Sequence, residues 1–253
     1  MKFGLIGHPI GHSLSPTLFR AGFNGKHPYE LIQTPDFEDA YARFLNDYDG
    51  INVTAPFKEL AMKKADILSE ECKAIGATNL LIKTPEGIKA HNSDYLGVRM
   101  LLSTILSNIN DPTPTVLVAG MGGAGKAAAE AARSLGCKVI PMNRTRYSGE
   151  IRPLSEFKEA FRIADIVLYN IPLRIQELDQ LTKDDFIEGK PKHIIEANYR
   201  DPSFDKDLIQ NIKNIHPQTE HTSGKAWLLL QALTGYEIFT GEKPDLEKMT
   251  ACL

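Results

Sequence analysis

Apolar runs alternate with amphipathic stretches along most of the chain, an order that predicts α/β architecture with parallel strands. The first half opens with a strand, Lys2–Ile6, that runs into a glycine turn at Gly7. A helix follows from about Ser15, with Pro16 in its first turn, where no backbone N–H is needed. Gly50–Thr54 reads as a second strand, closed by Pro56. The apolar stretches Asn79–Lys83 and Gly87–Ala90 flank Thr84-Pro85-Glu86-Gly87, a run of turn formers that predicts a hairpin. Asp94 stands where an N-cap would, ahead of Leu96, Met100, Leu101 and Ile105 at helical spacing. That helix runs out at Asn108–Pro114, and Asp111-Pro112-Thr113-Pro114 is the most linker-like stretch in the chain, so a new domain is expected to begin close by.

The second half starts with the β-branched run Thr115–Ala119, the glycine-rich turn Gly120–Gly125 and the alanine-rich helix Lys126–Leu135. Gly136 fits the position after that helix, where left-handed backbone is common, and Lys138–Met142 is the next strand. Together these form one βαβ unit. Further buried strands are predicted at Asp165–Tyr169 and His193–Ala197, and a last amphipathic helix runs from Lys225 to about Thr234.

Composition narrows the function classes more than the fold. A chain of 253 residues is long for one core and comfortable for two, and 42% hydrophobic with 24% charged residues is the profile of a globular protein. A net charge of −3 is too weak to suggest capture of nucleic acid or of an anionic membrane surface. No apolar run approaches the roughly 20 residues that cross a bilayer, and the first residues lack the apolar core and cleavage site of a signal peptide. Cys72, Cys137 and Cys252 are scattered, which argues against a disulfide framework or a structural zinc site and leads us to expect a cytoplasmic setting. His8 and His12 have helical ligand spacing, but Pro9 and Gly11 break any helix there, so they read as satisfied turn residues and no metal is expected.

Gly120-Met121-Gly122-Gly123-Ala124-Gly125 matches G-x-G-x-x-G. The pattern gains weight because it follows a strand and opens a helix within a βαβ unit. Gly120 permits the tight turn, Gly122 lets backbone approach a pyrophosphate, and Gly125 allows close packing, while the N–H groups at Gly123 and Ala124 face the phosphate charge. Sites for NAD end the second strand with a carboxylate that binds the ribose hydroxyl. Here that strand ends Asn143-Arg144-Thr145-Arg146, with no carboxylate to repel a 2′-phosphate. Arg144, with hydrogen bonds from Asn143 and Thr145, therefore predicts NADP(H). Arg146 fits either added charge or a solvated side chain.

Three polar clusters mark the first half: Gly11–Pro16, Asn52–Lys58 just past a strand end, and Asn92-Ser93-Asp94 before a helix. Ser15 and Asp94 each also fit a plain N-cap, and Lys58 beside Glu59 an exposed lysine. Combined with a nicotinamide domain, they suggest a pocket for a polyhydroxylated small molecule, with a lysine and an aspartate left for proton handling.

Gly7–Pro16 resembles the G-x-P-I-x-H-S-x-S-P signature of shikimate dehydrogenases, and Asn52–Lys58 that family's N-V-T-x-P-x-K. Ala74–Asn79, Asn92–Asp94, Gly120–Gly125, Asn143–Thr145 and Gly224–Gln231 fall in the family's order, so the resemblance covers nearly the whole chain. It implies a substrate domain from residues 1–98 and 224–253, an inserted Rossmann-type NADP domain over 99–223, and an active site in the cleft. Ser13, Ser15, Thr54, Asn79 and Gln231 would bind the carboxylate and hydroxyls of shikimate, and Tyr199 would stand near the carboxylate. Lys58 and Asp94 would flank the carbinol, and Gly224 would join the cofactor site. The implied activity is the reversible reduction of 3-dehydroshikimate in chorismate and aromatic amino-acid biosynthesis. Alternatives are a quinate/shikimate dehydrogenase of relaxed specificity and a non-catalytic pathway-ligand sensor, and a monomer or homodimer is expected. The chain departs from the family at Asn170-Ile171-Pro172-Leu173, where N-A-T-S-x-G is usual, and after Tyr199, where Arg200-Asp201-Pro202 intervenes and a later threonine is absent. It also differs at Ser93 and Tyr95 beside Asp94, and at Lys225 and Trp227.

Overall fold

The computed structural model describes residues 1–145 and 148–253. The chain divides into two compact units, Met1–Gly97 with Leu229–Leu253, and Val98–Leu228.

The first unit holds a six-stranded sheet built from β1 (Phe3–Gly7), β2 (Tyr29–Gln33), β3 (Gly50–Val53), β4 (Ile67–Leu68), β5 (Leu80–Thr84) and β6 (Gly87–His91). Its order is β2-β1-β3-β5-β6-β4. β1 pairs with β2 and β3 in parallel, while β5 runs antiparallel to both β3 and β6. This sheet is therefore mixed rather than uniformly parallel. The predicted hairpin explains why: two residues, Pro85 and Glu86, can join only antiparallel neighbours. Every residue of β1 and β3 is buried, as expected of strands covered on both faces. On one side lies the helix Phe37–Asp47, capped by the Asp36 carboxylate and burying Phe37, Ala40, Tyr41 and Phe44 at helical spacing. The helix expected to be the last runs Gly224–Thr240, longer than predicted, and a short helix, Leu246–Thr250, follows it; Phe239 near the end of the longer one stacks on Phe3 of β1 with ring centroids 4.9 Å apart.

The second unit is a Rossmann-type layer with one parallel sheet of β7 (Thr115–Ala119), β8 (Lys138–Met142), β9 (Ile166–Tyr169), β10 (Lys192–Glu196) and β11 (Thr219–Thr222). The order is β11-β10-β9-β7-β8. The helix after β7 starts at Gly123, three residues earlier than expected, and buries Ala127, Ala128, Ala129, Ala131 and Ala132, whose small side chains let it lie close to the sheet. Gly136 follows it with φ +78°, as the sequence pattern required. β9 begins at Ile166 rather than Asp165. The Asp165 carboxylate instead accepts from the Thr115 N–H at 2.8 Å and pairs with Lys190 at 2.6 Å. Among the described residues no helix is long and apolar enough to cross a membrane.

Candidate active site

Strand direction gathers the polar clusters of the first unit at one edge of its sheet. β1 and β3 are parallel, so the loops that leave them emerge side by side: Thr54 N donates to Ile6 O at 3.0 Å, and His8 N to Ala55 O at 3.2 Å. A Cβ at Gly7 would lie 2.4 Å from the Thr54 methyl carbon, so only glycine allows this approach. β5 runs the other way, which places Asn79, just before it, at the same edge; Val53 N donates to Asn79 O at 2.8 Å. β6 reverses once more and delivers Asn92, Ser93 and Asp94 there as well.

Lys58 opens the short helix Lys58–Lys63, and its Nζ donates to Asp94 Oδ2 at 2.6 Å. The two side chains are 19% and 14% exposed, a charge-assisted bond that is largely shielded from water. Asp94 is not the N-cap that the sequence suggested. The helix begins at Ser93, and the Asn92 side chain caps it by accepting from Tyr95 N at 3.1 Å. Asp94 thus sits in the first turn with its carboxylate available for Lys58. The Glu71 carboxylate also approaches Asn92 N, at 3.4 Å. Burial alone would raise the Glu71 carboxyl, but hydrogen bonds from His91, Ser69 and backbone N–H groups outweigh it and hold the group at about 2.

Ser93 stood in a polar cluster of the sequence but was given no role in the site. It is fully buried, and its N–H donates to Asn79 Oδ1 at 2.7 Å. Its hydroxyl accepts from Asn79 Nδ2 at 3.1 Å and donates to Gln231 Oε1 at 3.2 Å. Ser93 thereby orients two of the predicted substrate-binding amides. Asn79 itself is 4% exposed, with both ends of its carboxamide engaged. Asn52 does not stand past the strand end; it lies within β3, accepting from the buried Tyr29 hydroxyl at 2.7 Å and donating to Asn79 O at 3.3 Å. Burial pushes the Tyr29 hydroxyl well above its ordinary range, so it remains a donor. The short run Tyr29-Glu30-Leu31-Ile32-Gln33, with an aromatic and a β-branched residue, was the signal available for β2.

Ser13 and Ser15 form their own pair. Ser13 Oγ accepts from Ser15 N at 3.2 Å and donates to Ser15 Oγ at 3.1 Å. Ser15 is the first helical residue, not a side-chain cap, and Tyr236 donates to its carbonyl at 3.0 Å. His8 and His12 are both exposed on the same turn.

In the second unit the glycine turn has the geometry that a dinucleotide needs. Gly120 adopts φ +91°, and a Cβ there would lie 2.9 Å from the Asn170 carbonyl carbon. A Cβ at Gly125 would lie 1.8 Å from Gly120 O, so this glycine lets the helix start seat against the turn itself. At Gly122, the helix N-cap, a Cβ would meet nothing among the described residues within 4 Å, so those residues leave that side open. The helix has no acidic residue in its first turn, and its N–H groups at Gly123 and Ala124 are available to a phosphate. Met121 N donates to Asn143 Oδ1 at 3.3 Å, tying the end of β8 to the turn. Arg144 and Thr145 are exposed just beyond, and Arg146 lies outside the described residues. Gly224 packs against the loop after β10, where a Cβ would lie 2.5 Å from the Asn198 carbonyl carbon; Tyr199 follows in that loop, half-buried.

Residues 5–81 match the shikimate dehydrogenase substrate binding domain, and residues 108–216 match the NAD binding domain of D-isomer specific 2-hydroxyacid dehydrogenases. The shikimate dehydrogenase (NADP(+)) of Bacillus licheniformis is 30% identical over 98% of this chain and 94% of its own length. The pentafunctional AROM polypeptide of Mycosarcoma maydis is 37% identical over 59% of this chain, which spans 10% of that protein. The crystal structure of the Thermus thermophilus shikimate 5-dehydrogenase in complex with NADP(H) and shikimate superposes with a TM-score of 0.81 at 25% identity, covering 100% of this chain and 98% of that one.

Proposed function

The chain belongs to the shikimate dehydrogenase family, and we propose that it is an NADP-dependent oxidoreductase that reversibly reduces 3-dehydroshikimate to shikimate, within the synthesis of chorismate and aromatic amino acids. The observation that carries this reading is the shielded Lys58–Asp94 pair at 2.6 Å, set at the sheet edge among Ser13, Ser15, Thr54 and the Ser93-oriented amides of Asn79 and Gln231.

NADPH, when bound, supplies the hydride to the ketone carbon. The remaining work falls to residues of this chain. As hydride arrives, the carbonyl oxygen gains negative charge and needs a proton. The Lys58 ammonium stabilises that charge and donates the proton, and Asp94 holds the ammonium in place. In the reverse direction the Lys58 amine takes the carbinol proton. Ser13, Ser15, Thr54, Asn79, Gln231 and Tyr199 hold the carboxylate and the other hydroxyls, which sets the angle of attack. Gly120, Gly122, Gly123, Ala124 and Gly125 seat the pyrophosphate, with Gly224 against the cofactor. Asn143, Arg144 and Thr145 hold the 2′-phosphate.

Loss of NADPH absorbance with 3-dehydroshikimate tests the activity, and absence of turnover refutes it in favour of a ligand sensor. Comparing shikimate with quinate, each with NADP and NAD, separates the narrow enzyme from one of relaxed specificity. The same reading puts the protein in the cytoplasm as a monomer or homodimer, which fractionation and sedimentation check.

A further inference from the structure

The strand order β8-β7-β9 makes the carboxyl ends of β7 and β9 a topological switch point, the place where open α/β sheets bind ligands. The glycine turn lies on the β7 side of that crevice and residues 170–175 on the β9 side. The two loops touch, since a Cβ at Gly120 would come within 3.0 Å of Ile171 N. Within that loop, Asn170-Ile171-Pro172-Leu173 is also where the chain departs from its family's usual pattern.

This loop is braced from below. Tyr169, the last residue of β9, is fully buried, and its ring meets Phe204 edge-on at 5.3 Å. Its hydroxyl donates to Leu173 O at 2.6 Å and accepts from Ile175 N at 3.3 Å, so one side chain clamps both limbs of the bend. Burial pushes that hydroxyl up to about 12, which keeps it a donor. Arg174 adds ion pairs to Asp179 and to Asp205, the latter at 2.6 Å, and Asp205 itself caps the helix Lys206–Ile215. Ile171 and Ile175 turn down onto the hydrophobic core. Leu173 turns outward and is 73% exposed, the most exposed of the large apolar side chains among the described residues. Close by, Asn170 Oδ1 is buried and has no hydrogen-bond partner among the described residues.

A dinucleotide with its adenosine half over β8, at Arg144, and its pyrophosphate on the turn after β7 must carry its nicotinamide half past β9. We propose that Leu173 is the apolar contact for that nicotinamide half, and that Tyr169 is the positioning residue that holds Leu173 there. The inference rests on the dinucleotide reading above. A side chain braced before binding spares the ligand the cost of ordering it, so the brace adds to affinity without touching the cofactor.

Dissociation constants measured by fluorescence titration test this, with two ligands: NADPH, and 2′-phospho-ADP-ribose, which carries the same adenosine 2′-phosphate and pyrophosphate but no nicotinamide. Leu173→Ser is expected to weaken NADPH about five- to tenfold, from the apolar area it stops burying, and to leave 2′-phospho-ADP-ribose unchanged. Leu173→Met should retain most of the affinity. Tyr169→Phe should show the same selective loss at about threefold, whereas a purely structural role would move both ligands together or neither. Equal losses for the two ligands, or none for NADPH, overturn the proposal. Arg144→Ala serves as the control for the underlying reading. If it weakens neither ligand the dinucleotide seat is wrong, and if it weakens both while Leu173→Ser weakens neither, only the inference fails.

Discussion

Lys192, on β10, is 3% exposed and among the described residues has no carboxylate paired to its Nζ; the group donates instead to Phe161 O at 2.6 Å and to Ala164 O, and lies 4.7 Å from the centre of the Phe161 ring. Burial lowers its affinity for a proton more than nearby Asp165 raises it, and Lys190 opposes it as well, so the group falls from 10.5 to about 7. The folded pKa is depressed for a base, so between about 7 and 10.5 the unfolded chain binds the extra proton and stability must rise with pH. Below pH 7 both states are protonated and the penalty is constant, no more than about 5 kcal/mol. Across the accessible window from pH 7 to 9 the gain is about 2 kcal/mol. Lys192→Met removes this term. It also strips two carbonyls of their donor, but that loss is the same at every pH. The assay is denaturant unfolding of both proteins at several pH values, followed by the fluorescence of Trp227. That single tryptophan is buried in the same unit as Lys192, so it reports the relevant transition. Burial also raises the thiols of Cys72 and Cys137, and their contributions cancel in the comparison because both proteins carry them. Wild type should gain about 2 kcal/mol on the variant between pH 7 and 9. A constant difference between the two would mean that Lys192 is an ammonium in the folded state, and would refute the argument.

Three other outcomes follow from the same geometry. Lys58→Ala should lower kcat by roughly two to four orders of magnitude while shikimate affinity, from calorimetry, stays within a few-fold; lost affinity with kcat intact would make Lys58 a binding residue. Arg144→Ala should raise KM for NADPH about tenfold or more, as expected for a lost charge-assisted contact to phosphate, and hardly change KM for NADH; equal changes would end the 2′-phosphate assignment. The Glu71 carboxyl is depressed from 4.5 to about 2, so its contribution, up to about 3 kcal/mol, is complete above pH 4.5 and disappears as pH falls through about 2. Glu71→Gln should therefore be less stable than wild type at pH 6, and the gap should narrow in acid melts between pH 4.5 and 2.5.

Features that depend on neighbours a few residues apart were legible in the sequence. The glycine turn follows from backbone that only glycine can adopt at Gly120 and from the 1.8 Å approach at Gly125. The hairpin follows from Thr84–Gly87, and the helix end from Gly136. Some local signals were present and went unread, among them the Asp36 cap with its apolar face at Phe37, Ala40, Tyr41 and Phe44, and the edge strands β2 and β11. Edge strands are hard to see because partial exposure dilutes their apolar pattern.

The sequence alone determined the chemistry available: a turn suited to pyrophosphate, an arginine rather than a carboxylate after β8, and a lysine, an aspartate and several hydroxyls in family order. Tertiary structure decided which of these meet. Lys58 and Asp94 are 36 positions apart and reach 2.6 Å only because β5 and β6 reverse direction beside β3. The same reversal moves the cap to Asn92, releases Asp94, and buries Ser93 between Asn79 and Gln231, which lies 138 positions away. The clamp of Tyr169 on Leu173 is local in the chain, but the Phe204 ring that seats Tyr169 comes from a distant loop. Periodicity and capping record interactions within a turn or two of chain. Strand order and direction are settled only when the sheet closes, and the contacts that orient the site are made there.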